Sequence, residues 1–175
     1  MRRFIALAVM MTCFAMAGEA QLIHTKGKMG VGFRGGIGWF RSNEAWNIGL
    51  MYHYYTSNST GIIIEIDREK ARLPKSKFTN HFLIGVGFEN AIWKPCKWLY
   101  MNLSLAGNFG YDEWVCNHTH WTESHCVGGA NTGFGLEAYP WHFMSVTLKA
   151  RQFLLFGKGM NYLKPDFSLG VKYNW

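Results

Sequence analysis

The sequence predicts an all-β chain: an eight-stranded antiparallel up-and-down transmembrane β-barrel of the outer-membrane type, following a cleaved signal peptide. Charged residues and aromatic residues each make up 17% of the chain, with 20 glycines and 4 prolines. A soluble domain usually carries about 25% charged residues. Apolar and polar residues alternate over eight segments of about ten residues, the length that crosses a bilayer at a tilt. Aromatic residues gather at the segment ends, where a membrane barrel has its girdles.

The first twenty residues are predicted to be an export signal, and residues 21–175 the barrel. Arg2 and Arg3 follow Met1, and an apolar stretch covers 4–16. Of two possible cleavage sites, Ala15-Met16-Ala17 and Gly18-Glu19-Ala20, the second is preferred. That apolar stretch has the length of a signal-peptide core and is too short for a membrane-spanning helix. Lipidation is disfavoured because Cys13 lies inside the apolar stretch and lacks small residues before it.

Eight segments show the period of two that a strand with two different faces requires. The eighth is the clearest, since Phe167, Leu169, Val171, Tyr173 and Trp175 alternate with small or polar residues. In chain order the alternating segments are 29–39, 46–54, 62–67, 82–89, 99–111, 130–138, 144–151 and 167–175.

Two architectures share this alternation: a soluble barrel with an apolar interior and a membrane barrel with an apolar exterior. The polar positions hold mostly glycine, serine and asparagine, whereas a water-facing exterior is normally dense in lysine and glutamate. The chain also ends on an aromatic strand residue, Trp175, as bacterial outer-membrane barrels do. The sequence therefore favours the membrane barrel, with glycines relieving crowding inside it.

An even number of strands places both termini on the periplasmic side, so the connections alternate between short turns and outer loops. The predicted periplasmic turns are Thr56–Thr60, Ala91–Trp98 and Pro140–His142. The predicted outer loops are Arg41–Ala45, Arg68–Thr79, Asp112–Val127 and Gly157–Tyr162. The second and third loops are expected to be longer than any turn.

Eight charged residues fall on the inward-facing positions, four of each sign. They are Arg34, Lys149, Arg151 and Lys172 against Glu65, Asp67, Glu89 and Glu137. An eight-stranded barrel has an interior just wide enough for side chains to fill, and unpaired buried charges are costly. We therefore predict an ion-pair network that plugs the lumen. A general acid/base pair or a proton path would use the same residue types, but no catalytic residue is assigned.

The third outer loop holds two cysteines and three histidines. Because exported proteins are oxidised, we predict a disulfide between Cys116 and Cys126. Cys96 lies in a turn at the opposite end, so it is expected to be free or bonded to another chain. The loop would present a recognition surface consisting of His118, His120, Trp121 and His125. A zinc site is the alternative, but the spacing matches no established pattern and no metal is assigned.

The second outer loop is rich in lysine and arginine, and the whole chain has a formal net charge of +7. The loop is either a solvated segment or a contact to lipopolysaccharide phosphates or an acidic partner. No phosphate-binding loop, nucleophile elbow or zinc-protease motif occurs in the sequence. The sequence therefore predicts no cofactor and no direct binding of nucleic acid.

Several short motifs resemble the TraO-type conjugal transfer proteins of Bacteroides-like conjugative transposons. They are spread over most of the mature chain: Lys26-Gly27-Lys28-Met29-Gly30, Arg72-Leu73-Pro74 with Thr79, the strand 82–88, Gly110-Tyr111, Lys164-Pro165 and the closing 169–175. The loop with cysteines and histidines departs from that family. The resemblance implies an outer-membrane component of a conjugative DNA-transfer apparatus that acts by contact with the other proteins of the apparatus.

Three functional hypotheses follow. The first is a non-enzymatic barrel of a transfer apparatus, and the second is a small envelope or adhesion-type barrel unrelated to conjugation. The third, an enzyme acting on lipids, would need a serine, a histidine and an aspartate or glutamate together at one membrane interface, and no such set can be assembled from the sequence. Outer-membrane lipid and lipopolysaccharide are expected partners in each case, and the oligomeric state is left open.

Overall fold

The computed structural model describes residues 24–40, 43–73, 77–116, 121–157 and 160–175. They form eight strands that close into one antiparallel barrel in chain order, with β1 also pairing β8. The strands are β1 Met29–Phe40, β2 Asn43–Tyr55, β3 Thr60–Leu73, β4 Lys77–Cys96, β5 Leu99–Cys116, β6 Trp121–Trp141, β7 Met144–Gly157 and β8 Met160–Asn174. The predicted fold class is confirmed. The predicted signal peptide lies outside the described residues.

The exterior of the barrel is apolar and its interior is polar. Outward side chains such as Phe33, Leu105 and Phe109 are 71%, 64% and 66% exposed, while the inward Arg34 is 5% exposed. We call the outward apolar residues the apolar belt: Val31, Phe33, Ile37, Ile48, Leu50, Ile64, Ile66, Ile84, Val86, Leu103, Leu105, Phe109, Leu148, Leu154, Phe167, Leu169 and Val171. Such a surface is stable in lipid and would be costly in water.

Among the described residues, no helix is long and apolar enough to cross a membrane.

The three connections at the end where β1 begins and β8 ends are short. They leave residues 56–59, 97–98 and 142–143 between strands. The first agrees with the predicted turn, but the second is much shorter than Ala91–Trp98 because β4 runs on to Cys96 through two register shifts. The topology of this class predicts that this end faces the periplasm, and we call it the periplasmic end.

At the opposite end the predicted loop boundaries are wrong, because strand pairing continues far beyond the apolar belt. Most of Arg68–Thr79 and Asp112–Val127 belongs to β3 to β6, and Asn43 and Met160 already begin β2 and β8. The ladder continues since each added pair satisfies backbone hydrogen bonds, whatever the polarity of its side chains. We call this part of β3 to β6 the extended sheet; it comprises 68–73, 77–82, 111–116 and 121–126.

Inward glycines allow the strands to come close together. A Cβ atom on Gly110 would overlap the carbonyl oxygen of Phe82, and one on Gly87 would overlap that of Leu105. Because backbone atoms of a paired strand cannot move away cheaply, these positions accept only glycine.

Candidate functional site

The centre of the lumen is organised around Arg34 of β1. Its Nη1 lies 2.5 Å from Glu65 Oε1 and its Nε donates to Asp67 Oδ1 at 3.0 Å, with a second bond from Nη2 to Asp67. Arg34 reaches these β3 carboxylates across β2 because Gly49 stands between them in register. A side chain at Gly49 would overlap Asp67, so this glycine makes room for the ion pairs.

Arg151 of β7 completes this central cluster from the other side of the barrel. It lies opposite Asp166 of β8 in the ladder, with Nη2 2.7 Å from Asp166 Oδ1. Its Nη1 lies 2.9 Å from Asp67 Oδ2 and 3.2 Å from Glu65 Oε2. One guanidinium thus joins three carboxylates that lie on two strands.

Two lysines extend the network towards the periplasmic end. Lys149 Nζ lies 3.1 Å from Glu65 and 2.8 Å from Glu89. Lys172 Nζ lies 2.5 Å from Glu137. The structure therefore places all eight charged residues singled out in the sequence inside the barrel, and each has at least one oppositely charged partner there.

Several interior ionisable residues were missed by the sequence analysis. Lys164 pairs with Glu69 at 2.5 Å, Asp166 with Arg151 as above, and Asp112 is buried in the extended sheet. The described interior therefore holds five basic residues (34, 149, 151, 164, 172) and seven carboxylates (65, 67, 69, 89, 112, 137, 166) rather than four of each. Continuing the period of two past the predicted strand ends, from Asp67 to Glu69, would have found them.

Three histidines stand beside carboxylates in the same interior. Nitrogens of His24, His53 and His81 each lie 3.3 Å from a carboxylate oxygen, of Glu137, Glu89 and Asp112 respectively. Lys172 Nζ also donates a hydrogen bond to His53 Nδ1 at 3.0 Å. Glu89 and Glu137 are therefore each in contact with both a lysine and a histidine.

The periplasmic end is closed by the chain's own N-terminal segment. The ring of His24 stacks on Tyr100 with centroids 3.9 Å apart and planes at 18°. His24 Nε2 is 3.1 Å from the hydroxyl of Tyr139, which lies 3.2 Å from that of Tyr55. These buried aromatic rings fill the mouth of the barrel.

An apolar cluster lies inside the barrel towards the other end. Trp114 packs against its buried members, which are Ala45, Ala71, Leu83, Val127, Phe153 and Leu155. Between this cluster and the aromatic mouth, a cavity of about 20 Å³ is lined by Met51, His53 and Lys149 among others. That volume suits about one water molecule, so the lumen has the packing of a core and not of a pore.

Two sets of hydroxyl, imidazole and carboxylate groups come together in the interior. Thr79 Oγ1 donates to Asp112 at 2.6 Å and lies 3.4 Å from His81. Ser145 donates to Glu137 at 2.7 Å, and His24 lies on the other oxygen of that carboxylate. In both sets the hydroxyl group donates its hydrogen bond to the carboxylate, so the imidazole is not placed to act as a general base towards the hydroxyl. Both hydroxyl-bearing residues are fully buried.

The predicted disulfide between Cys116 and Cys126 is wrong. Cys126 is a free thiol, and so is Cys96, which is exposed at the periplasmic end. In the β5–β6 ladder Cys116 lies opposite Trp121 and Cys126 opposite Tyr111, five residues apart along β6. That separation is about 17 Å at the usual rise of a strand, well beyond the roughly 7 Å limit for two bonded cysteines.

The predicted recognition loop also changes its character. Trp121 and His125 belong to β6 and not to a loop, and His125 Nε2 lies 3.1 Å from Glu123. His118 and His120 lie outside the described residues. Within the described ranges, no group of three or more His, Cys, Asp or Glu residues is arranged to hold a metal ion.

The architecture of this chain is similar to that of several known proteins. No protein-family model and no curated protein sequence matches the chain. Among solved structures, Neisserial surface protein A superposes with a TM-score of 0.67 at 10% identity, covering 83% of this chain and 95% of that one. The N-terminal β-barrel domain of Pseudomonas aeruginosa OprF gives 0.62 at 13% identity, covering 86% and 98%. Ail of Yersinia pestis gives 0.56 at 14% identity, covering 86% and 100%.

The fold is that of the small outer-membrane barrels. These neighbours are matched over nearly their whole length, so the likeness covers the complete barrel. At such low identity it concerns the fold alone and transfers no activity, since one fold serves many functions.

Proposed function

We propose that this protein is a non-enzymatic barrel of the bacterial outer membrane that works by surface contact, as a small envelope or adhesion-type barrel. The observation that carries the proposal is the packed lumen, with ion pairs at its centre, an apolar cluster on one side and aromatic rings on the other. The described part of the interior leaves no room for a solute to pass. Function therefore falls to the surfaces outside the membrane.

The extended sheet is the surface best suited to such contact. Four paired strands rise beyond the apolar belt on the side away from the chain termini. Their outward positions carry polar or charged residues, among them Arg68, Lys70, Asn80, Glu113 and Ser124. A sheet held at its base by a barrel is rigid, and rigid surfaces bind with a small loss of conformational entropy.

A role in a conjugative DNA-transfer apparatus is the narrower hypothesis, favoured by the resemblance to TraO-type proteins. Two of the resembling motifs, 26–30 and 169–175, adjoin at the closure of the barrel, where the backbones of Met29 and Trp175 exchange hydrogen bonds of 3.1 and 3.0 Å. Barrel closure itself requires residues of these kinds at this seam. The resemblance there therefore reflects the fold, and the broader envelope function is the main proposal.

Conjugation frequency separates the two hypotheses. A donor strain lacking this gene is complemented with the wild type, with Ser124→Arg on the extended sheet, or with the control Asn58→Arg in a periplasmic turn; both positions are exposed. An envelope function predicts that the deletion strain transfers DNA at an unchanged frequency. Among the complemented strains, only the one with Ser124→Arg should bind more weakly to host cells or matrix. A large drop in transfer, restored by the wild type and not by Ser124→Arg, would support the apparatus instead.

Membrane conductance tests the closed lumen directly. Purified protein inserted in planar bilayers is expected to show no discrete channels. Steady channel openings with the wild type would refute the contact proposal, because they require a water-filled path through the barrel.

A further inference from the structure

The outward face of β3 changes abruptly from aliphatic to basic. Its outward positions, counted from the periplasmic end, are Ile62, Ile64 and Ile66, followed by Arg68 and Lys70. Arg68 and Lys70 are both exposed. Residues two apart on a strand point to the same side, so these two cations continue the lipid-facing row and do not turn towards the lumen.

The neighbouring strands place this change at the edge of the apolar belt. Arg68 lies between Ile48 of β2 and Phe82 of β4 in the ladder, and Lys70 between Trp46 and Asn80. Ile48 and Trp46 are each more than half exposed. Arg68 therefore lies among side chains suited to lipid. Lys70 lies two residues further from the periplasmic end, beside the polar Asn80.

Aromatic rings frame the two cations. Lys70 Nζ sits 4.6 Å from the ring centroid of Phe78. Phe82 stacks on Tyr111 of β5 with centroids 5.6 Å apart. Together with Trp46 these rings mark the boundary between hydrocarbon and head groups, where aromatic side chains of membrane proteins gather.

The two cations have no acidic partner among the described residues, unlike the basic residues of the lumen. Among the described residues, Glu113 is the outward carboxylate of the extended sheet, and it accepts a hydrogen bond from Asn80 at 3.0 Å. Basic side chains at the membrane edge extend their charge into the head-group layer. Arg68 and Lys70 are therefore placed to bind an anion of the head-group layer.

We propose that Arg68 and Lys70 form a binding site for the phosphate groups of an anionic glycolipid of the outer leaflet, with lipid A as the matching chemistry. The two Cα atoms are about 7 Å apart along the strand, so both charges can serve one phosphorylated sugar head group. A guanidinium binds phosphate through two parallel hydrogen bonds, and an ammonium adds a compact point charge. The site rests on the proposed outer-membrane location and names a lipid partner for it.

Lipid retention tests this site. Protein refolded in detergent is mixed with lipid A carrying two phosphates, and native mass spectrometry measures the lipid-bound fraction. The wild type is compared with Arg68→Ala/Lys70→Ala and with Lys26→Ala/Lys97→Ala, which removes two exposed charges at the periplasmic end. We expect the first double variant to bind lipid A about tenfold more weakly and the control to bind like the wild type. Retained heat-modifiable gel migration establishes that each variant is folded.

Two further arms identify the ligand. Dephosphorylated lipid A should bind the wild type as weakly as two-phosphate lipid A binds Arg68→Ala/Lys70→Ala. Millimolar inorganic phosphate should not displace lipid A; displacement would show a site for small anions and overturn the lipid assignment. Equal binding by the wild type and both double variants would also overturn it. Neither result alters the proposed function, which fails separately if the protein is absent from outer-membrane fractions.

Discussion

Replacing Arg151 with alanine tests the central cluster most directly. Arg151 is 3% exposed and contacts Glu65, Asp67 and Asp166. After its removal Glu65 still has Arg34 and Lys149, and Asp67 still has Arg34. The loss therefore falls mainly on Asp166, which among the described residues keeps a side-chain hydrogen bond from Asn47.

One buried carboxylate deprived of its cation costs about 3–5 kcal/mol, and this is the expected fall in the free energy of unfolding for Arg151→Ala. The measurement is urea unfolding in detergent or vesicles, followed by tryptophan fluorescence. Lys97→Ala, an exposed charge in a periplasmic turn, is the control and should change the free energy by less than about 1 kcal/mol. Arg151→Lys should fall between the two, because it keeps the charge and loses the forked geometry.

A second substitution identifies the cause of the loss. Adding Asp166→Asn to Arg151→Ala removes the carboxylate charge that has lost its cation. The free energy of unfolding of the double variant should therefore be about 1–3 kcal/mol higher than that of Arg151→Ala alone. Additive losses in the double variant would show that Asp166 is not the residue left unpaired. Equal unfolding midpoints for Arg151→Ala and Lys97→Ala would refute the whole argument, since Arg151 would then not face a closed interior.

Three other predictions concern the barrel as a whole. The protein should fractionate with outer membranes and migrate faster on gels when unboiled, because a closed ladder resists detergent; recovery as a soluble protein without this shift would contradict the membrane barrel. Maleimide should label Cys96 and Cys126 without prior reduction, and a Cys116–Cys126 peptide in an unreduced digest would contradict the β5–β6 register. Gly110→Ala should lower the free energy of unfolding by about 1–3 kcal/mol through overpacking. Gly107→Ala is the control on the outward face and should have no effect, because a Cβ atom there lies 4.0 Å from its nearest neighbour. Equal effects of the two substitutions would mean that the two faces are wrongly assigned.

The strand count, the strand order and the assignment of faces could be predicted from the sequence because all three follow from the period of two. A one-residue error in β1 or in β3 would have placed Arg34 or Glu65 on the lipid-facing side. Only one inward set makes every strand apolar on its other side, so the eight lumen charges were identifiable without coordinates.

Strand ends and the disulfide could not be predicted in the same way, because both depend on hydrogen bonding between strands and not on hydropathy. The change from Ile66 to Arg68 suggests a loop, yet the β3–β4 ladder continues to Leu73 and Lys77. The same extension places Cys116 and Cys126 at different heights on β5 and β6. The two cysteines would lie close together if Asp112–Val127 were a loop. Most of this segment belongs to β5 and β6, where extended strands carry the two cysteines apart.

The distribution of the network over the strands indicates what the buried charges contribute to the fold. Arg34 is on β1, Asp67 on β3, Arg151 on β7 and Asp166 on β8, so the central cluster bridges the seam where the two ends of the chain meet. That seam joins the residues most distant in sequence and carries the largest entropic cost of closure. In an open barrel Arg151 would lose its contacts with Glu65 and Asp67 across the lumen, and a misregistered barrel would bury charges without a partner, which is costly. We therefore expect the network to favour the closed register over open and misregistered ones, and we propose that specificity of closure is its contribution to the fold.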